Sequence, residues 1–237
     1  MPDDQRSPHE RSEATRDAGS VAGRTVLIAG ATSDAGRAVA GTLIAAGARV
    51  IATGRDAARL EPLVELGAEP EVCDVTDEQQ VTELAARLRE RGIRLDGILP
   101  LVGGWRGGGG LAGQSDADYR VLEASLTALR HVSRAFDADL RDSDAGRLAI
   151  VSSVAVARPL AGSANYAAVK AGAEAWTRAA AQGYAKAARD AGHPLRSAAV
   201  IFRVKSLAGA EASLAAAFAA LWQQDAAALN DTVIDLS

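Results

Sequence analysis

The spacing of the apolar runs narrows the fold most. From Arg24 onward, short uncharged runs such as Thr25–Ala29 (TVLIA) and Gly97–Val102 (GILPLV) alternate with longer amphipathic stretches. A strand that is apolar throughout must be covered on both faces, which is the situation of strands in a parallel sheet flanked by helices. Read in this way, strands are predicted at Thr25–Ala29, Arg49–Thr53, Glu71–Asp74, Gly97–Val102, Leu148–Ser152, Ser197–Val204 and Thr232–Leu236. Helices are predicted at Asp34–Ala46, Asp56–Leu66, Asp77–Arg91, Asp116–Arg141, Ser163–Ala191 and Ala210–Gln223. With right-handed crossovers these elements wind doubly into an α/β/α sandwich, and ligands are expected beyond the C-terminal ends of the strands.

The first 22 residues carry many charges and few large apolar groups. They are expected to form a flexible N-terminal tail, because too little apolar surface is available to offset the entropy of ordering. Residues 23–237 are then read as one domain. The 26 basic residues are scattered and the net charge is −4, which points away from nucleic acid. The apolar stretches are too short and too often interrupted by charge to suggest a membrane span, and the N-terminus lacks the apolar core of a secretory signal. A cytoplasmic location is therefore expected. One cysteine (Cys73) and three dispersed histidines offer neither a disulfide nor metal-ligand spacing, so no metal is expected.

The first strand runs into Gly30-Ala31-Thr32-Ser33-Asp34-Ala35-Gly36. Gly30 permits a sharp turn, and Gly36 permits close packing where the next helix begins. The first N–H groups of a helix have no intrahelical partner and carry partial positive charge, which suits a pyrophosphate. Two glycines around a strand-to-helix turn also occur in α/β proteins without such a ligand. The second strand is followed by Gly54-Arg55-Asp56. Proteins preferring NAD(H) usually place an acid near this point for the ribose hydroxyls. Here Arg55 offers a guanidinium to a 2′-phosphate and Asp56 is expected to cap the following helix, so NADP(H) is favoured over NAD(H). Asp74 and Val75 either flank the adenine or simply end the third strand.

Tyr166 and Lys170 sit four apart on a predicted helix, on one face. An ammonium beside a phenol favours phenolate and draws its pKa toward the working range of an acid/base catalyst. Ser153, at the end of the fifth strand, is placed to hold a substrate carbonyl and steady a developing alkoxide. After the fourth strand come Val102 and a glycine-rich stretch, Gly103–Gly113 (GGWRGGGGLAG), which is either a solvent loop or a mobile loop beside the ligand. Within it, Trp105 and Arg106 either supply a stacking surface and an anion contact or form an exposed loop pair.

With the glycine turn, Ser153 and the Tyr166/Lys170 pair on one chain, the sequence resembles the short-chain dehydrogenases/reductases from about Arg24 to Leu236. The resemblance implies a Rossmann-like, seven-stranded parallel sheet. It also implies Tyr166 as general acid/base, Lys170 as the group that binds the nicotinamide ribose and tunes the tyrosine, and Ser153 as the carbonyl-orienting hydroxyl. A small carbonyl or alcohol substrate is implied, together with a homotetramer or homodimer packed through the two long helices. The family's Thr-Gly-x-x-x-Gly-x-Gly turn is altered here, with Ala29 for the threonine and Asp34 for the middle glycine. Its Asn-Asn-Ala-Gly stands as Pro100-Leu101-Val102-Gly103, its relay asparagine as Ser125, and the Pro-Gly after the sixth strand is absent. Its substrate lid has no counterpart beyond a few residues after Val204. Three readings follow: an NADP(H)-dependent carbonyl reductase or alcohol dehydrogenase with an open site, non-redox acid/base chemistry such as dehydration or cyclisation on the same residues, and a cofactor-binding scaffold without catalysis.

Overall fold

The computed structural model describes residues 19–237. Seven parallel strands form one sheet in the order β3-β2-β1-β4-β5-β6-β7. They are β1 (Thr25–Ala29), β2 (Arg49–Gly54), β3 (Glu69–Val72), β4 (Gly97–Pro100), β5 (Arg147–Ser153), β6 (Ala198–Val204) and β7 (Thr232–Asp235). The helices are α1 (Asp34–Ala45), α2 (Glu61–Glu65), α3 (Glu78–Glu90), α4 (Asp116–Ala135), α5 (Asp137–Asp142), α6 (Ala164–Asp190), α7 (Glu211–Ala219) and α8 (Ala226–Leu229). The fold is the expected Rossmann-like, doubly wound α/β sandwich. Strand order reverses between β1 and β4, which opens a crevice at the C-terminal edge where such sheets bind ligands.

Two apolar cores account for the two helical layers. On one face, Val39 and Leu43 of α1 pack with Leu214 and Phe218 of α7 and with Trp222. On the other, Leu84 and Leu88 of α3 meet Leu129 and Val132 of α4, Phe136, and Tyr184 of α6. Val26, Leu27 and Ile28 on β1 are fully buried and alternate between these cores, which is why the strand is apolar without interruption.

Several boundaries differ from the sequence expectation. Of the tail expected over 1–22, residues 1–18 lie outside the described residues, and Val21 is packed in the core. The third strand was expected at Glu71–Asp74 but ladders with β2 over Glu69–Val72. Asp74 instead turns out of the sheet, its carboxylate accepting from the backbone N–H and hydroxyl of Thr76. The outer strand β3 keeps a proline, Pro70, between two acids: Glu69 pairs with Arg49 and Arg91, and Glu71 with Arg87 and Arg91. The helix expected over 116–141 breaks at buried Phe136 (φ −115°, ψ 14°). The turn carries Asp139 of α5 inward, where its carboxylate accepts from Arg94 and the Leu95 backbone N–H. The last long helix ends at Ala219 and tightens into a 3-10 turn over Ala220–Gln223, which seats Trp222 against Gly97 with its indole N–H donated to the Ala145 carbonyl at 2.9 Å.

The N-terminal edge of the sheet carries buried charge. Arg147, the first residue of β5, donates to the carbonyls of Gly146, Arg196, Leu221 and Gln224 at 2.9–3.1 Å. Burial draws its guanidinium down to about 10. Beside it, the Asp96 carboxylate accepts from the Thr25 backbone N–H and the Ser143 hydroxyl. Among the described residues no helix is long and apolar enough to cross a membrane, and no group of three or more His, Cys, Asp or Glu is placed to hold a metal.

Candidate active site

At the opposite edge, β5 ends on Ser153 and α6 begins at Ala164, so Tyr166 occupies the helix's first turn and Lys170 lies one turn further on. The structure brings the three side chains together. Ser153 and Tyr166 line the same cleft, with the Ser153 hydroxyl accepting the Ala155 N–H at 3.2 Å. The Lys170 ammonium stands 5.8 Å from the centre of the tyrosine ring and donates to the Val151 carbonyl at 2.8 Å. Burial draws the ammonium down to about 8. The sequence suggested that the lysine would lower the phenol. Instead, burial raises Tyr166 above its ordinary value, with the Ser153 hydroxyl pulling the other way. The positive end of α6 favours phenolate as well, since Tyr166 sits in the first turn.

Behind this group lies a polar network that the sequence did not reveal. Glu174, one turn beyond Lys170, is buried and accepts from the Ser152 hydroxyl at 2.7 Å and from two nitrogens of Arg203 at 2.9 and 2.6 Å. Ser152 and Arg203 face each other in register on β5 and β6. Burial alone would raise the Glu174 carboxyl, but Arg203 and Ser152 hold it below the ordinary range. The clamp ties the C-terminal ends of two strands to α6 directly beneath Ser153 and Lys170. Glu174 is at Lys170+4 and Arg203 stands at the missing Pro-Gly, yet neither position signals the other across 29 residues of sequence.

The nucleotide side is built at the β1–α1 turn. Gly30 has φ +81°, and a methyl group there would lie 2.7 Å from a methyl of Val102. One at Gly36 would lie 2.0 Å from the Ala31 carbonyl oxygen. The helix start is therefore pressed onto the turn, leaving a cradle lined by backbone that fits a pyrophosphate. Ser33 caps α1 by accepting the Gly36 N–H at 3.1 Å, so the free N–H groups of the first turn are those of Asp34 and Ala35. The Asp34 carboxylate, facing solvent, pairs with Arg37, whose guanidinium also donates to the Thr32 carbonyl, so its charge is compensated locally. At the end of β2, a methyl on Gly54 would meet the Thr32 methyl at 2.8 Å and Leu60 at 3.2 Å, so no acid fits at that position. Arg55 beyond it is exposed. The Asp56 carboxylate was expected to cap the next helix; it accepts the Ala58 N–H in a local turn, while the 3-10 turn Ala58–Leu60 starts at Ala57 without a side-chain cap. Asp74 is engaged with Thr76, and Val75 is buried.

Beside the catalytic group opens a cleft of about 1040 Å³. Val102, Gly103 and Trp105 line one side, Ser153, Tyr166 and Lys170 another, and Val204–Leu207 a third. Ser125 lies behind Gly103, and its hydroxyl donates back to the Leu122 carbonyl of its own helix at 2.8 Å. Arg106 does not line the cleft; its guanidinium donates to the Trp105 carbonyl. Arg158 and Lys205 do line it, two cations that no sequence motif singles out. The glycine loop is tethered through Gln114. Its amide nitrogen reaches the carbonyls of Gly108, Gly110 and Gly162, and its amide oxygen accepts the Asn165 backbone N–H at 3.1 Å, capping α6 from a distance. Gly108 adds a 2.7 Å backbone bond to Gly162. An isolated glutamine at a loop's end gives no sequence signal for such a tie.

Comparison with known proteins agrees with this geometry. A family model described as short chain dehydrogenase matches residues 24–188. A curated relative named as a candidate daunorubicin C-13 ketoreductase, from Streptomyces sp. (strain C5), is 42% identical over 93 residues. That match covers 36% of this chain and about a third (32%) of the relative. Among solved structures, a short chain dehydrogenase from Shigella flexneri superposes with a TM-score of 0.80 at 20% identity, covering 93% of each chain. A short-chain type dehydrogenase/reductase from Mycobacterium ulcerans gives 0.78 at 19% identity, over 91% of this chain and 89% of that one. A candidate short chain dehydrogenase from Shigella flexneri 2a, complexed with NADP, gives 0.79 at 20% identity, over 93% and 99%.

Proposed function

This chain belongs to the short chain dehydrogenase family, whose members bind a nicotinamide cofactor and act on small molecules, and from that premise we propose that it is an NADP(H)-dependent carbonyl reductase, working in reverse as an alcohol dehydrogenase. One observation carries the reading: Ser153, Tyr166 and Lys170 converge on one wall of a cleft that is also lined by Val102, the residue packed against Gly30 of the glycine turn. A nicotinamide cofactor held at the β1–α1 turn would bring hydride-transfer chemistry to the carbonyl carbon of a bound substrate. Ser153 and Tyr166 hold the carbonyl oxygen, and the Tyr166 phenol gives it a proton as the C–O bond becomes single. Lys170, fixed by the Val151 carbonyl, is the cation that compensates the resulting phenolate. The relative named for ketone reduction points in the same direction.

Preference for the phosphorylated cofactor is supported by the closed Gly54 position and the exposed Arg55 beyond it. In this reading Ser125, packed behind Gly103, would take the water-relay role by turning its hydroxyl away from the Leu122 carbonyl. Fluorescence titration with NADPH and NADH, followed by turnover with a simple aromatic ketone, tests the reading. NADPH is expected to bind about tenfold tighter than NADH, with Arg55→Ala removing most of the difference, as a charge-assisted contact of about 1.4 kcal/mol would produce. Failure of both nucleotides to bind, or substrate conversion with no change in nicotinamide absorbance, would overturn it.

A further inference from the structure

We propose that the carbonyl substrate carries an extended aromatic body and a carboxylate, the body lying on Trp105 and Leu160 and the carboxylate meeting Arg158. The proposal rests on the reductase reading and names the substrate class of that same cleft. Three features of the cleft support it. First, its charges are all of one sign: Arg158, Lys170 and Lys205 line it, and no carboxylate does. Lys170 is committed to the Val151 carbonyl, whereas Arg158 and Lys205 have no hydrogen-bond or ion-pair partner among the described residues. They rise from the loops after the adjacent strands β5 and β6, so the field across the cleft is positive on two sides.

Second, the large apolar side chains are left exposed where they face this space. Trp105 is 61% exposed and Leu160 72%, and both line the cleft with Val154 and Leu207. A patch of that kind rimmed by cations suits a ligand that is both flat and anionic. Third, the β6–α7 connection is only residues 205–210, too short to fold over the cleft as a lid, and a substrate larger than a simple alcohol has room.

The position of Arg158 argues against the cofactor's phosphates as its partner. Those belong at the β1–α1 cradle and beside Arg55, whereas Arg158 follows Ser153 by five residues and shares the wall that carries Leu160 and Tyr166. A guanidinium there offers a planar fork to a carboxylate.

The test uses the full chain, NADPH and two matched ketones, 2-acetylnaphthalene and 6-acetyl-2-naphthoic acid, with 2-naphthoate as a binding probe that cannot be reduced. The acid is expected to show kcat/KM at least about tenfold above the neutral ketone, the value of one charge-assisted contact. In Arg158→Gln that ratio should collapse to within about threefold, while Arg158→Lys should keep part of it. Binding of 2-naphthoate should quench tryptophan fluorescence in wild type, weaken about tenfold in Arg158→Gln, and lose its quenching in Trp105→Leu. A neutral ketone turned over as well as the acid, or a ratio unchanged in Arg158→Gln, overturns the inference while leaving the reductase reading in place. Probe binding without turnover of either ketone overturns the reductase reading and leaves the aromatic anion site standing. Absence of both probe binding and acid preference sinks the site outright.

Discussion

The two ends of β5 each hold a cation drawn down by burial, and the two are treated differently. At the N-terminal end, Arg147 is surrounded by four carbonyl oxygens and has no face open to a ligand. At the C-terminal end, Lys170 has one fixed acceptor, the Val151 carbonyl, and its remaining donors look into the cleft. A saturated cation holds the fold together, and an unsaturated one is available for chemistry. The contrast teaches that burial alone does not mark a functional charge, since the share of donors left without a protein acceptor distinguishes the two.

The largest expected effect sharpens the catalytic end. Tyr166→Phe should cost about a thousandfold in turnover, some 4 kcal/mol of barrier, with NADPH affinity and melting temperature unchanged. Steady-state rates and thermal melts of the same preparation check it, and a near-normal rate would remove Tyr166 from the chemistry. The next probes the other end. Arg147→Met strands four carbonyls and should lose about 3 kcal/mol of stability in urea titration, while kcat of the folded fraction holds. Loss of rate without loss of stability would erase the distinction between the two ends.

A third prediction concerns pH. The folded value of Lys170, about 8, lies below its ordinary 10.5, so the unfolded chain holds more protons between those values. Stability should therefore rise with pH from 8 to 10.5, and the Lys170→Met variant should show a smaller slope over that window in denaturant midpoints. An identical slope in both proteins would show that the lysine is not strained by burial. The smallest effect belongs to the loop. Gln114→Ala releases the ties to Gly108, Gly110 and Gly162 and should raise KM about fivefold, roughly 1 kcal/mol, with little change in kcat. Equal losses in both constants would mean that the clasp supports the catalytic residues as well as the loop.

The architecture was readable because its signals are local and repeated. Uninterrupted apolar runs such as Leu148–Ser152 mark buried strands, and Ser33 caps α1 where the sequence switches period. Tyr166 and Lys170 were legible for the same reason, a fixed spacing on one helix. The contributions that escaped notice depend on contacts between distant segments. Glu174 meets Arg203 only after β6 pairs with β5, and Gln114 caps a helix through Asn165, 51 residues further along the chain. Arg158 could not be preferred over Arg106 as an anion contact, because only the folded loops decide which guanidinium faces the cleft. The break at Phe136 was hidden by an amphipathic pattern that continues across it, and the inward pull comes from Asp139.

The glutamate-proline-glutamate outer strand also has a bearing on how the protein behaves when concentrated. An unpaired strand rim is a template onto which a foreign chain can zip, and aggregation of sheet proteins often begins there. With Pro70 lacking an amide proton and both neighbours clasped by arginines, such a newcomer would have to displace ion pairs and still find a donor missing. Replacing Pro70 with valine and Glu69 with threonine would turn this rim into an adhesive one, and the first symptom would be turbidity rather than lost activity.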